Sequence, residues 1–378
     1  MRSTGQDQQQ HRSVWQALHL DMPLFIGLLV LMTLGLFIVY SAGGQEMGVV
    51  YRQAIHSGVA LVVMFVVAQI QPTVYEKLAV PMFIIGVLML IAVLLFCHVG
   101  KGAQRWLDLG GMRLQPSEVM KPAVVLALAR YYHDLPKHHV SSLLGLLGAV
   151  VFILLPMALI LRQPDLGTTL LVAATGVAIV FLAGVNWRVI GGAALAGAIA
   201  LPLFFRFGLK EYQRSRILTF LDPSRDPTGA SYHITQSKIA LGSGGVSGKG
   251  FMNGTQRQLE YVPENRTDFI FTVIGEEFGL IGSLLTMGLY IAVISLCLWL
   301  SLQCKHIFSR LLILGLTTTF TLYIFINLGM VMGLAPVVGV PLPLISYGGT
   351  VILTVMAGFG LVLSAHLHRQ NELPRSQY

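Results

Sequence analysis

Apolar positions in this chain gather into runs of spanning length separated by short polar connectors. Ten such runs lie at 21–41, 51–70, 78–98, 117–133, 143–162, 166–185, 187–207, 269–300, 310–334 and 347–367. In lipid only helices and closed barrels satisfy every backbone N–H and C=O, and runs of roughly 20 residues read as helices. The pattern predicts an all-α polytopic membrane protein with ten transmembrane helices and one large extramembrane loop. Helices one to seven occupy 21–207, the loop 208–267, and helices eight to ten 268–367, with tails at 1–20 and 368–378. An even number of spans puts both termini on one side. The fourth run is the most polar, with Glu118 and Lys121 in its first turns, and the run after Asp268 is long enough to tilt or to extend beyond the bilayer. Residues 1–20 are Gln-rich and polar, and no small-residue cleavage site follows, so the first run reads as an uncleaved span.

Composition strengthens this picture. Of 378 residues 54% are hydrophobic and 11% charged, where a soluble domain carries about 25% charge. That excludes an ordinary soluble enzyme, and a disordered chain would lack the apolar runs. The net charge of +8 comes with no basic stripe interleaved with aromatics, so nucleic acid is not an expected partner; a membrane surface or phosphate groups are. With the N-terminus inside, a majority of the cations fall on the outer side, eight of them in 208–267. This runs against the positive-inside tendency unless the outer face binds an anion. Cys97, Cys297 and Cys304 show no disulfide or zinc spacing.

Polar residues at the ends of apolar runs carry the candidate chemistry, because charges are costly there and are usually paired or functional. One cluster holds Lys101, Gln104, Arg105, Trp106 and Asp108, followed by Gln115-Pro-Ser-Glu118 and Lys121. Glu118 and Lys121 share a helix face; they read equally as a site pair or as a structural ion pair at a helix start, with Ser117 as N-cap and Trp106 as an interfacial anchor. A second cluster is Arg162-Gln-Pro-Asp165-Leu-Gly-Thr, where Asp165 reads as an N-cap that can still face a site. The third combines Gly242-Ser-Gly-Gly, Gly248-Lys249-Gly, Thr255-Gln256 and Arg266-Thr-Asp268. A P-loop is excluded, since Ser243 stands where its first glycine is required and Gly250 follows Lys249 where Ser or Thr is required; the glycines serve either as a flexible connector or to bring backbone N–H groups near a phosphate. Asp268, at the mouth of a span beside Arg266, is a candidate general base or an N-cap. Glu276 and Glu277 lie deeper on the same helix and are expected to face the bundle interior.

Taken together, Lys101-Gly-Ala-Gln-Arg-Trp-Leu-Asp, Gln115-Pro-Ser-Glu, Gln163-Pro-Asp-Leu-Gly-Thr, His233-Ile-Thr-Gln-Ser, Gly254-Thr-Gln, Thr267-Asp-Phe-Ile-Phe, Glu276-Glu-Phe-Gly and Pro341-Leu-Pro-Leu-Ile-Ser-Tyr-Gly-Gly closely resemble the SEDS family, on its cell-elongation branch, over residues 20–368. The resemblance implies a bacterial inner-membrane protein with cytoplasmic termini and a periplasmic loop and active site, which polymerises lipid II into β-1,4 glycan strands with undecaprenyl diphosphate as leaving group. It implies a class B penicillin-binding protein of PBP2 type as transpeptidase partner, seated near the eighth and ninth helices, together with other elongation proteins. The family's essential loop aspartate matches Asp268, and its first two clusters match Trp106, Glu118, Lys121 and Asp165. Inversion from an α-linked diphosphate calls for a base on the acceptor and a clamp on the leaving group. Asp268 is the expected base or acceptor-positioning group; Lys121, Lys249 and Arg105 are expected diphosphate contacts, with Glu118 orienting Lys121 and with Thr255 and Gln256 as further substrate contacts. A divalent cation, Mg2+ or Mn2+, is a candidate to share the diphosphate, with no metal ligands assigned. A groove for the lipid tails is expected where Gly191, Gly192, Ala193 and Gly197 allow close helix approach, or these residues serve ordinary packing. The competing expectation is a transporter that flips lipid II.

Overall fold

A computed structural model describes residues 21–96, 107–108, 113–209, 211–222, 230–255 and 266–369. Helices appear at all ten anticipated positions: α1 (Met22–Ala42), α2 (Met47–Gln69), α3 (Pro72–Phe96), α4 (Pro116–Asp134), α5 (Leu143–Arg162), α6 (Leu166–Leu182), α7 (Trp187–Leu203), then α10 (Ile270–Leu302), α11 (Ile307–Val331) and α12 (Gly349–Leu367). The segment anticipated as a loop contains two further helices, α8 (Glu211–Leu221) and α9 (Ala230–Ser243), and a two-residue ladder pairs Leu107–Asp108 with Arg113–Leu114. Seven of the helices are long and apolar enough to cross a membrane. The other three anticipated spans, α4, α6 and α7, are shorter or more polar.

The position of α4 explains its polarity. It packs against α3, α5, α6, α11 and α12, and Ala123 to Ala129 are buried without interruption, so this helix meets protein on every side. Charges on it are tolerable if partnered within the bundle. Arg130 shows the rule. Pro81 deprives the carbonyl of Lys77 of its helical N–H, and Nη1 of Arg130 donates to that oxygen at 3.1 Å and to the carbonyl of Glu76 at 3.0 Å. The outer helices instead present Phe37, Val62, Leu95, Leu154, Leu285 and Phe325 outward, an apolar surface too extensive for a water-exposed monomer and suited to lipid.

Close helix contacts occur at Gly176 against Ile153, Gly315 against Val125 and Ile179, and Gly360 against Met64 and Val67. The close helix approach expected on α7 is not found at Gly191, Gly192 or Gly197, where a Cβ would meet nothing within 4 Å. α7 lies at the margin with Trp187, Leu195 and Ile199 exposed.

The glycine-rich segment has a defined structural task. α10 is broken at Gly279, whose φ of 63° and ψ of −155° strip Leu280 and Ile281 of their helical acceptors. The 245–250 turn replaces both lost bonds from each side: Leu280 N–H donates to Gly245 O (2.9 Å) and Ile281 N–H to Val246 O (3.1 Å), while Glu276 O accepts from Lys249 N–H (3.0 Å) and Glu277 O from Gly250 N–H (2.9 Å). Contact this close requires bare backbone, since a Cβ on Gly248 would lie 2.2 Å from Glu277 O and its φ is +80°. We expect Gly248→Ala to destabilise the protein by at least ~2 kcal/mol, seen as a lower unfolding temperature in detergent. Gly242→Ala, with open space around it, should leave that temperature unchanged.

Candidate active site

The first turn of α4 begins with Gln115 as N-cap and Pro116 inside the start, where a missing N–H costs nothing. Ser117 is therefore a first-turn residue and not the expected cap. One turn on, Lys121 Nζ lies 2.6 Å from Glu118 Oε1, and both side chains are only 4% exposed. α11 supplies the third member. The Tyr323 hydroxyl donates to Glu118 Oε2 at 2.7 Å and is also hydrogen-bonded to Lys121, whose ammonium sits 4.3 Å from the centre of the tyrosine ring. Two of the three ammonium donors are used in this way, and the pair's charge is balanced internally.

Asp165 caps α6, with Oδ1 accepting from Thr168 N–H at 3.1 Å, and its Oδ2 accepts from the side chain of Gln115 at 3.2 Å. Asp268 differs. α10 starts at Ile270 with Phe269 as N-cap, so Asp268 stands one residue before the cap position. Its backbone is fixed from behind: Asn327, fully buried on α11, donates to the carbonyls of Asp268 and Val340, both at 2.7 Å. Ser346 donates to Thr267 O (2.6 Å), Tyr347 N–H to Arg266 O (2.9 Å), and Arg266 reaches Gly43 O (3.2 Å) and Glu46 (3.4 Å). The Pro341-to-Gly349 segment is thus the brace that holds Asp268 in place.

These groups converge. Asp268, Glu118, Lys121, Asp165, Gln115 and Tyr323 line one cavity of about 760 Å3, together with Arg52 and His56 of α2 and the 339–341 and 347–351 backbone. It lies where α2, α4, α6, α10 and α12 begin, a single end of an alternating bundle.

Lys249 and Thr255 do not join it. Glu276 Oε1 accepts from Lys249 Nζ (2.7 Å), Thr255 N–H (2.8 Å) and Thr255 Oγ1 (2.9 Å), so both expected substrate contacts clamp a buried carboxylate below the α10 break. Glu277 accepts from Ser41 Oγ at 2.5 Å, and both glutamates face the interior as expected. Arg105, Trp106 and Gln256 lie outside the described residues, as does Cys97. Burial pushes the Cys304 thiol up to about 11, which keeps it protonated at neutral pH. Residues not anticipated from sequence are Tyr323, Asn327, Arg52 and His56; the available signal was a polar side chain inside an apolar run.

The cavity's acidic donors are all hard oxygen, which suits Mg2+ or Mn2+, although Asp268, Asp165 and Glu118 do not close into a three-ligand cluster. Among the described residues the one such grouping is Glu76, His133 and Asp134, fifteen residues along α4 from Glu118 and so roughly 22 Å away.

Fold and site define a helical membrane protein whose acid and cation groups meet in one cavity at one end of the bundle. The family model for the FtsW, RodA and SpoVE cell cycle proteins matches residues 14–371, and the chain belongs to that family. It is 46% identical over 365 residues to the Escherichia coli K12 peptidoglycan glycosyltransferase MrdB, covering 96% of this chain and 98% of that one. It is 34% identical to a probable peptidoglycan glycosyltransferase FtsW of Trichlorobacter lovleyi, covering 91% and 92%. Among solved structures it resembles a chain of a peptidoglycan synthase complex that coordinates polymerization and crosslinking (TM-score 0.81, 30% identity, 93% and 99% covered). It also resembles the Thermus thermophilus rod shape determining protein RodA (TM-score 0.71, 28% identity, 93% and 98% covered).

Removing one partner of a buried ion pair leaves the other uncompensated, so Lys121→Met should cost about 3–5 kcal/mol. The Glu118→Gln/Lys121→Met double variant should recover most of that stability, as measured by thermal unfolding, without recovering function.

Proposed function

We propose that this chain polymerises lipid II into β-1,4 glycan strands during cell elongation, with undecaprenyl diphosphate leaving. The observation that carries the reading is Asp268, braced through its backbone and lining a cavity shared with Lys121, in a chain 46% identical to a named peptidoglycan glycosyltransferase.

The reaction joins the acceptor's 4-hydroxyl oxygen to the donor's anomeric carbon and breaks the bond from that carbon to the diphosphate. Asp268 accepts the hydroxyl proton or holds the acceptor in line. Lys121, with one ammonium donor uncommitted after Glu118 and Tyr323, contacts the departing diphosphate, and its partners keep the ammonium at a fixed point, so little reorganisation is needed as charge develops. Asp165 and Gln115, hydrogen-bonded to each other, line the same cavity. A divalent cation fits the oxygen donors; Asp268 or Asp165 would hold it together with the substrate's phosphates, and when bound it supplies positive charge to the leaving group.

In this reading all ten anticipated helices cross the inner membrane. With cytoplasmic termini the cavity end of the bundle faces the periplasm, and α8, α9 and the glycine turn lie on that side. A class B penicillin-binding protein fits the unpartnered face of α10, where Leu284, Leu285, Ile291, Trp299 and Leu302 are exposed.

Purified protein with its transpeptidase partner and labelled lipid II tests the reading. Asp268→Asn should lower the polymerisation rate about 100-fold or more while partner capture and unfolding temperature stay at wild-type values. Wild-type rates in that variant would remove Asp268 from the chemistry. Lipid II crossing vesicle bilayers with no glycan formed by any variant would favour the transporter.

A further inference from the structure

Lys121 is the cavity cation whose charge is already balanced, by Glu118 at 2.6 Å. On α2, a different wall, Arg52 and His56 face the same space. Four residues apart, they share one helix face. Arg52 makes no ion pair among the described residues, and the buried Nδ1 of His56 has no hydrogen-bond partner among them. The position of both is enforced. Between them in sequence, Gln53 donates to Ser346 O (3.1 Å) and accepts from Gly348 N–H (3.4 Å), tying α2 to the brace that holds Asp268. The His56 ring rests on Gly349, where an added Cβ would lie 2.9 Å from Cε1. α12 begins beside that ring with Gly348 as N-cap and no side chain capping its first turn, which adds the favourable end of a helix dipole to the same wall.

Each glycosyl transfer brings two lipid-linked sugars together, and both carry a diphosphate. Only the donor's diphosphate leaves. The acceptor's is a spectator that must be held at saccharide distance from the first. We propose that Arg52 and His56 form a second diphosphate contact that holds the acceptor, opposite the donor contact at Lys121. This assignment rests on the glycosyl-transfer reading above. The proton still passes from the acceptor hydroxyl toward Asp268 and the electron pair departs with the donor diphosphate, so Arg52 and His56 are binding residues outside the bond changes. Their contact is the same in ground and transition states, so its loss raises KM and leaves kcat nearly unchanged. Lys121, acting on the leaving group, does the reverse.

The test compares Arg52→Gln, His56→Leu and Lys121→Ala with wild type in lipid II polymerisation with the transpeptidase partner, with farnesyl diphosphate as a short-chain competitor. We expect Arg52→Gln and His56→Leu each to raise the KM for lipid II about tenfold, with kcat within twofold, and to weaken inhibition by farnesyl diphosphate. Lys121→Ala should lower kcat, and His56→Lys, which places a donor of fixed positive charge at the same point, should hold KM near the wild-type value. Unfolding temperature and partner capture check that each variant is folded. Wild-type KM in both folded α2 variants, or a loss confined to kcat, would overturn the assignment. Arg52-dependent binding of farnesyl diphosphate by a wild-type protein that forms no glycan would keep the anion contact and overturn the glycosyl-transfer reading.

Discussion

Inside a bundle surrounded by lipid, a polar group finds its partner in the protein or pays several kcal/mol for lacking one. The arrangement of this molecule follows from how that demand is met. Lys121 and Glu118 can be central because Tyr323 closes their network from a neighbouring helix. α3 tolerates Pro81 because Arg130 caps the exposed carbonyl of Lys77. α10 tolerates a break because the 245–250 turn supplies two donors and two acceptors at the spacing the helix has lost. Asn327 applies the same demand to the site, its one amide group tying the backbone of Asp268 to that of Val340. The cavity is what remains once these obligations are met, and its walls are stiff for that reason.

The helix bundle was legible in the sequence because apolar runs report membrane depth directly. Helix boundaries differ from the runs by a few residues, most at α3, where the polar residues among 72–77 hide the start. The 208–267 segment was not legible as helix, since α8 and α9 carry too much polarity to stand out against a loop. Glu118, Lys121, Asp165 and Asp268 were legible because a charge at the end of an apolar run is conspicuous. Lys249 was misread. A lysine among glycines suggests an anion outside the protein, and its anion is Glu276, 27 residues further on and buried. Tyr323, Asn327, Arg52 and His56 were missed because their meaning depends on which helices become neighbours, and that is a property of packing.

The site is a division of labour between side chains that act and backbone that positions. The side chains come from five helices; the positioning comes largely from one non-helical stretch, 335–348, threaded between α11 and α12 and held by Tyr290, Asn327, Gln53 and its own Ser346. Irregular backbone within a helical membrane bundle survives only where protein encloses it or a cavity borders it, and both hold for this stretch. The cation on α2 and the carboxylate at the head of α10 are registered to each other through that stretch, so a shift in either is felt by the other.

The break in α10 carries a consequence for how this chain tolerates change. Its four closing bonds run from main chain to main chain, and no side-chain identity enters them. What they demand is emptiness: no Cβ at 244, 248 or 279, where one would fall 1.9–2.4 Å from neighbouring backbone. Val246 and Ser247, lodged between those voids, contribute carbonyl and spacing but no required chemistry. A stretch that reads as low-information glycine filler therefore encodes its geometry by omission. Substitutions should be accepted freely at Val246 and Ser247 and refused at Gly244, Gly248 and Gly279.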